Sequence, residues 1–218
     1  MTPGEPLISW DWIFSHLGDI GQRVGEHLVL TGLAVAIGLL LSVGPAIWIA
    51  RHPRYYGPVL GFAGVLYTIP SLALFAVLVP ITGLSLLTAV IGLVSYTLLF
   101  LIRNIVEGLT GVPADVRDAA LGMGYTSRQL LWQVELPLAL PAIVAGLRIA
   151  TVSTIGLTTV TALIGQGGLG YFILDGLQRF FSTPLIVGAV LSVALAVVAD
   201  GALVLVQRWA MPWARGSA

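Results

Sequence analysis

The chain has 218 residues, of which 57% are hydrophobic and 9% are charged. Soluble domains carry roughly 25% charged residues, so this composition excludes a soluble domain and predicts an all-α integral membrane protein. Ten basic residues balance ten acidic ones, which argues against a nucleic-acid partner because such binding needs a concentrated positive surface. The chain has no cysteine, which excludes disulfides and thiolate metal sites.

Residues 1–26 predict an external or interfacial segment. The stretch 9–22 mixes Trp10 and Trp12 with acidic residues such as Asp11, and tryptophan favours the membrane boundary. This pattern predicts an amphipathic helix lying in the interface, with a disordered leader as the alternative. No secretory signal peptide is apparent, because acidic residues stand where such a signal carries a basic flank.

Five later stretches contain the roughly 20 apolar residues that a membrane-spanning helix needs. They are residues 27–50, 57–79, 84–102, 138–163 and 184–206. Pro70 in the second stretch and Pro141 in the fourth predict a bend or an irregular start there. We therefore expect a permease domain over 27–208, followed by a cytoplasmic tail, 209–218.

The arginines predict the orientation, since cytoplasmic loops carry an excess of positive charge. An external N-terminus places seven arginines on the cytoplasmic side: Arg51, Arg54, Arg103, Arg117, Arg128, Arg208 and Arg215. It leaves only Arg23 and Arg179 outside. The loop at 103–137 is then cytoplasmic.

This loop has the signals of two short helices. Pro113 suits the first position of a helix that Gly122 and Gly124 end. Residues 126–129 have the form of a capping box that opens a second helix. Residues 136–137, Leu-Pro, are expected to stop it.

The spacing of particular residues in the loop resembles the "EAA" loop of ABC importer permeases. Counted from Asp118, the matching positions are Ala119, Ala120, Gly124, Val134, Leu136 and Pro137. Asp118 departs from the pattern, in which glutamate is usual. The resemblance implies a type I importer permease fold and a coupling helix that docks into a separate ATPase. The implied coupling residues are Pro113, Asp118, Ala119, Ala120, Gly124, Leu136 and Pro137. An ordinary loop helix is the alternative.

Enzymatic activity finds no support in the sequence. The chain has no lysine, which a Walker A loop requires, so ATP and Mg²⁺ are expected to belong to a partner and no cofactor to this chain. Residues 165–170 spell G-x-G-x-x-G but follow a membrane segment instead of a strand, which predicts a tight outer turn. No G-x-S-x-G elbow occurs, and His16, His27 and His52 are scattered, so we expect neither catalytic residues nor a metal site.

Two segments are candidates for a translocation path. Thr151, Thr154, Thr158 and Thr161 share one helical face, which either borders the path or hydrogen-bonds to neighbouring helices. Residues 67–74 resemble the "TIPSLAL" segment of permeases for glycine betaine, carnitine and choline. That resemblance implies that Tyr67, Thr68, Pro70 and Ser71 line the translocation path, with a purely structural kink as the alternative.

Arg148 and Asp200 fall at matching depths in the fourth and fifth spans. An ionisable group inside a span is a functional candidate. We expect the two to form a structural ion pair, with a proton relay through Asp200 as the alternative.

The combined expectation is the permease subunit of an importer for quaternary ammonium osmoprotectants in a bacterial inner membrane. The resemblance implies two ATPase subunits, a second permease subunit, identical or homologous, and an external substrate-binding protein. The alternatives are the same machine for methionine or another small solute, and an ion-coupled carrier, against which the cytoplasmic loop argues.

Overall fold

Residues 7–211 are described by a computed structural model, and within that range every regular element is helical. Residues 1–6 and most of the predicted tail, with Arg215, lie outside the described residues. The α-helices are α1 (Trp10–Ser15), α2 (Leu17–Arg51), α3 (Tyr56–Thr68), α4 (Ser71–Thr82), α5 (Leu86–Thr110), α6 (Ala114–Gly122), α7 (Ser127–Leu130), α8 (Leu136–Thr158), α9 (Gly170–Arg179) and α10 (Ser182–Ala210).

The described residues contain four helical units long and apolar enough to cross a membrane, and a fifth if α3 and α4 count as one broken crossing. The four are α2, α5, the run Ser127–Ile164 and α10. The axes of α3 and α4 differ by 91°. The break lies at Ile69 and Pro70, where both residues are extended, so the predicted bend at Pro70 is confirmed.

The predicted interfacial helix and the first span are nearly continuous. α1 is capped by Ser9, whose hydroxyl accepts a hydrogen bond from the backbone N–H of Trp12. α2 begins at Leu17, ten residues earlier than the predicted start at His27. At 1.5 Å per residue its length is about 52 Å, well beyond a hydrocarbon core of about 30 Å, so α2 extends out of the bilayer.

α5 is the central helix, packed between α2 and α8. Small residues allow these helices to approach closely: a Cβ added to Gly38 of α2 would lie 2.0 Å from the hydroxyl of Thr97. One added to Gly146 of α8 would lie 2.4 Å from Asn104. Such contacts replace hydrophobic burial as the main source of helix association in lipid.

The prediction that Leu136 and Pro137 stop a helix is wrong. Helix α7 continues through a π-helical turn, Leu131–Glu135, directly into α8, and Pro137 lies in the first turn of α8. The N–H of Leu136 bonds to the carbonyl of Leu131, five residues back. Proline lacks an N–H and its ring clashes with the carbonyl four residues earlier. The wider π turn just before Pro137 makes room for the proline ring and leaves no hydrogen bond that needs its missing N–H, so the helix continues.

Candidate translocation groove and coupling loop

The break between α3 and α4 frees backbone groups that other side chains then satisfy. The carbonyl of Ile69 accepts a hydrogen bond from the hydroxyl of Tyr96 on α5 at 2.5 Å. The hydroxyl of Thr68 donates to the carbonyl of Val65 at 2.8 Å. A hydroxyl from another helix therefore fixes the position of the break, which the sequence signalled only through Pro70.

The break forms one wall of an open groove of about 490 Å³. Its lining contains the four predicted path residues of this segment: Tyr67, Thr68, Pro70 and Ser71. The opposite wall comes from α8 through Ser153 and Gly156, which the sequence analysis did not single out. A Cβ added to Gly156 would meet nothing within 4 Å. The groove is thus lined by hydroxyls and aromatic rings and is uncharged.

Tyr67 and Tyr96 place aromatic rings beside this groove. The Tyr67 ring packs edge-on against Tyr96, at 5.8 Å between centroids, and against Phe100, at 5.1 Å. Tyr67 is 38% exposed, whereas Tyr96 is buried. The buried ring of Tyr96 and the half-buried ring of Phe100 therefore hold the more exposed ring of Tyr67.

Most of the threonine stripe on α8 faces the protein interior. Thr154, Thr158 and Thr161 are buried. The Thr158 hydroxyl lies 3.2 Å from that of Thr31 on α2. The hydroxyls of Thr151 and Thr158 donate to backbone carbonyls of their own helix, and that of Thr161 donates to the carbonyl of Gln166 in the following turn. Thr151 is half-buried. The contact between Thr158 and Thr31 is an interhelical hydrogen bond of the kind expected above, and the role of the stripe at a translocation path stays a prediction.

The structure brings Arg148 and Asp200 together in a two-pronged contact between α8 and α10. Nε of Arg148 lies 2.7 Å from one carboxylate oxygen of Asp200, and Nη2 lies 2.9 Å from the other. Both side chains are about one-third exposed, at 33% and 35%. They line a second open groove of about 770 Å³, which shares Ser153 with the first. A continuous open face therefore runs along α8.

Helix α6, in the loop between α5 and α8, has an exposed face that the sequence pattern outlined only in part. Asp118 and Ala119 are exposed, whereas Ala120 is buried against the protein. Leu121 is 49% exposed and Met123 is 71% exposed. Neither residue belongs to the sequence pattern described above. Exposed apolar side chains outside the membrane-spanning helices are typical of a surface that binds another protein.

Gly124 ends this helix through its backbone conformation. Its φ is +87°, in the left-handed region that favours glycine. The N–H of Gly124 bonds to the carbonyl of Leu121, and the N–H of Tyr125 bonds to that of Ala120, which is a Schellman motif. The predicted capping box at 126–129 is confirmed, with Thr126 and Gln129 each accepting from the other's backbone N–H. Pro113 precedes the first helical residue instead of being that residue.

The carboxylate of Glu135 is buried where the loop joins α8, and no sequence pattern assigned a role to this residue. Glu135 is 2% exposed, and its carboxylate contacts Arg51 at 2.5 Å and Arg117 at 3.2 Å. The sequence shows Glu135 as a single acidic residue at the edge of an apolar stretch, and this was the signal that could have identified it. The two arginines come from distant parts of the chain, so only the fold identifies them as its partners.

The glycine-rich stretch after Ile164 forms the predicted tight turn, which we call the outer turn after its predicted side, and a buried histidine holds it. Gly165 and Gly168 have φ of +75° and +60°. Nδ1 of His27 accepts from the N–H of Leu169 at 3.2 Å, and Nε2 donates to the carbonyl of Ile155 at 3.0 Å. These bonds require a neutral imidazole with its proton on Nε2. His27 is thus a structural residue of the outer turn.

Nothing in the range 7–211 brings together three or more histidine, aspartate or glutamate side chains that could hold a metal ion.

Comparisons with known proteins agree with this architecture. The model of the family "Binding-protein-dependent transport system inner membrane component" matches residues 28–211. The chain is 34% identical over 195 residues to the glycine betaine/carnitine/choline transport system permease protein OpuCB of Bacillus subtilis (strain 168), covering 89% of this chain and 90% of that protein. It is 37% identical over 194 residues to the osmoprotectant import permease protein OsmW of Salmonella typhimurium, covering 87% and 90%.

Among solved structures, an inward-facing form of the MetNI methionine ABC transporter is similar, with a TM-score of 0.76. The match covers 85% of this chain and 93% of that chain at 22% sequence identity. At this identity the similarity establishes the fold alone. The predicted all-α type I importer permease fold is therefore confirmed.

Proposed function

Because this chain belongs to the family of binding-protein-dependent transport system inner membrane components, it is a transport permease, and we propose that its solutes are quaternary ammonium osmoprotectants such as glycine betaine, choline and carnitine. The observation that carries this proposal is the sequence similarity to permeases that are named for these solutes or for osmoprotectants. The match covers 90% of the length of each of these relatives. ATP hydrolysis is the task of a separate ATP-binding subunit, which also holds the Mg²⁺.

The groove at the α3–α4 break is the proposed translocation path. A quaternary ammonium ion has no N–H to donate, so a site for it needs aromatic faces more than hydrogen-bond acceptors. The exposed ring of Tyr67 beside Thr68 and Ser71 supplies one aromatic surface and weakly polar walls. The uncharged lining lets the solute leave as readily as it enters.

Helix α6 is the proposed contact with the ATPase. Asp118 and Ala119 belong to the exposed face, and Leu121 and Met123 add apolar area that a partner can bury. Gly124, Leu136 and Pro137 act on the way this helix joins α8, and Ala120 packs it onto the protein. In the complete importer we expect two ATPase subunits and an external substrate-binding protein, with the N-terminus outside and the C-terminus in the cytoplasm.

The open face of α8 and α10 is proposed to border the second permease subunit. An ion pair exposed to lipid is costly, and such residues normally face the interior of an assembly or a polar cavity. Arg148 and Asp200 lie on this face among exposed valines of α10. A second copy or a homologue that closes over the face shields the pair from lipid and encloses the path.

The decisive experiment is uptake into proteoliposomes that contain this chain, its ATPase and its binding protein. Labelled glycine betaine, choline, carnitine and methionine are offered in parallel, with and without ATP. We expect ATP-dependent uptake of the quaternary ammonium solutes. Uptake of methionine alone would overturn the solute, and uptake without ATP would overturn the importer mechanism in favour of an ion-coupled carrier.

A groove-filling variant tests the path itself. Gly156→Leu projects a side chain into the open groove, and we expect uptake to fall strongly while the complex still assembles. Gly32→Leu on α2 is the matched control, because Gly32 is exposed, also has open space around it and does not line the groove. Equal uptake by the two variants would place the path elsewhere.

A further inference from the structure

Glu135 is held at the cytoplasmic end of the protein by two arginines. Its carboxylate is buried, with Nη2 of Arg51 at 2.5 Å from one oxygen. Nε of Arg117 lies 3.2 Å from the other oxygen, an ion-pair contact that lacks the alignment of a hydrogen bond. A buried carboxylate stays charged only where positive partners compensate for the lost water, and both arginines serve that purpose here.

The contacts of this cluster join four helices. Arg51 is the last residue of α2, and Arg117 lies in α6 beside Asp118. Arg117 also donates through Nη2 to the carbonyl of Leu109, near the end of α5, at 2.5 Å. Glu135 itself immediately precedes α8. The exposed helix of the loop is therefore tied to the cytoplasmic ends of three membrane-spanning helices through one acid and its two arginines.

The backbone at Glu135 is also unusual. Glu135 is the last residue of the π-helical turn Leu131–Glu135. Isolated π turns inside α-helices are frequent at functional sites. The ion pairs of Glu135 with Arg51 and Arg117 therefore bridge the irregular turn through which the loop joins α8.

We propose that Glu135 is a positioning residue of transport coupling: with Arg51 and Arg117 it makes α6 and the cytoplasmic ends of α2 and α8 move as one unit. This inference rests on the proposed role of α6 as the ATPase contact. A displacement of α6 acts on Arg117, which passes it to Glu135 and Arg51. Coulomb attraction depends on distance and little on angle, so the three groups can reorient together without separating.

The first test measures ATP hydrolysis and solute uptake in the same proteoliposomes. Glu135→Gln keeps the size of the side chain and removes its charge, and we expect the number of solutes moved per ATP to fall by about 10-fold or more. Glu107→Gln is the control, because Glu107 is a half-exposed acid that pairs with Arg103 on the same helix and accepts a hydrogen bond from Tyr56 but has no contact with the cluster of Glu135. It is expected to leave the ratio unchanged.

The outcomes separate the inference from the proposed function. If the unmodified complex shows no ATP-dependent uptake, the proposed function fails. If it transports and Glu135→Gln lowers hydrolysis and uptake in equal proportion, the role is structural and the inference is overturned. A lowered ratio that Glu135→Asp partly restores supports it.

A distance measurement keeps the inference testable if the glutamine variant does not transport. The natural chain has no cysteine, so two spin labels can be placed specifically at Ala114→Cys in α6 and Leu41→Cys in α2. With Glu135 present, we expect the interlabel distance to be the same in the ATP-free and ATP-bound complex. With Glu135→Gln it is expected to change between the two states. Identical distance distributions in both backgrounds would contradict the inference.

Discussion

The two ends of the fourth membrane-spanning run, Ser127–Ile164, are secured in different ways. At the outer end the buried group is the neutral ring of His27, which holds the following turn through two hydrogen bonds to backbone. At the cytoplasmic end the buried group is the charged Glu135 between two arginines. Charged residues also occur at the outer end, where Arg23 pairs with Glu26, but both are partly exposed.

The difference concerns how much each end can move. Hydrogen bonds weaken steeply when they are misaligned, so the contacts of His27 define one arrangement of the outer turn. Ion pairs tolerate changes in angle, so the contacts of Glu135 with its two arginines permit more than one orientation of the groups. We infer that the end held by His27 is rigid and that the end held by Glu135 can reorient as one unit.

The largest effect is expected from enlarging Gly170 at the rigid end. An added Cβ would lie 2.0 Å from the carbonyl oxygen of Thr159, and backbone cannot move aside as a side chain can. Gly170→Ala should destabilise the folded protein by about 3 kcal/mol or more, measured as thermal unfolding in detergent. Gly156→Ala, which meets open space, is the control. Similar unfolding temperatures for the two variants would show that the outer turn is not rigid.

Removal of the His27 ring should lower the free energy of unfolding somewhat less than Gly170→Ala does. His27→Ala leaves the N–H of Leu169 and the carbonyl of Ile155 without their buried partner, at a cost of about 2 to 4 kcal/mol in unfolding free energy. His52→Ala is the matched variant, because His52 is exposed and bonds only within its own helix. Equal losses of stability would contradict the structural role of His27.

A smaller effect is expected between the two ends, at Arg148 and Asp200. This pair is one-third exposed, so either single reversal, Arg148→Asp or Asp200→Arg, should reduce the yield of assembled complex without abolishing the fold. The double reversal should restore the yield, as judged by size-exclusion chromatography. A double variant that assembles no better than either single one would rule out a structural pair and favour the proton relay.

The smallest effect is expected in the loop that contains α6 and α7. Thr126→Ala removes the side-chain cap of α7 and should cost about 1 kcal/mol, confined to this helix. Hydrogen exchange should show faster exchange at residues 126–130 and unchanged protection of the outer turn. Thr126→Ser retains the hydroxyl and serves as control. Protection lost at both ends would indicate that the two ends are not independent.

Much of the architecture was predictable because each signal was local. Apolar length predicts spans, proline predicts the break at Pro70, and the capping box at Thr126 needs only four neighbouring residues. The error at Pro137 has the same origin. The proline rule assumes an α-helical register, and the π turn that accommodates proline depends on how the loop packs against α2 and α5.

The candidate site was predictable only where its residues are neighbours in sequence. Tyr67, Thr68, Pro70 and Ser71 form one segment, but their opposite wall, Ser153 and Gly156, lies more than eighty positions away. The stripe of threonines was visible as a periodicity. Which neighbour it meets was not, because a helical face does not specify its partner.

The sequence by itself determined the membrane location and the number of apolar stretches, and its arginines support the orientation that we propose, with the loop between α5 and α8 in the cytoplasm. Composition, spacing and charge can be read along the chain without knowledge of which segments pack together. Only the tertiary structure decided which groups compensate the buried polar side chains. His27 depends on a turn about 140 residues later, and Glu135 depends on arginines from α2 and α6. A buried hydrogen bond or ion pair is defined by distance in space, and helices that cross a membrane bring together residues that the sequence keeps far apart.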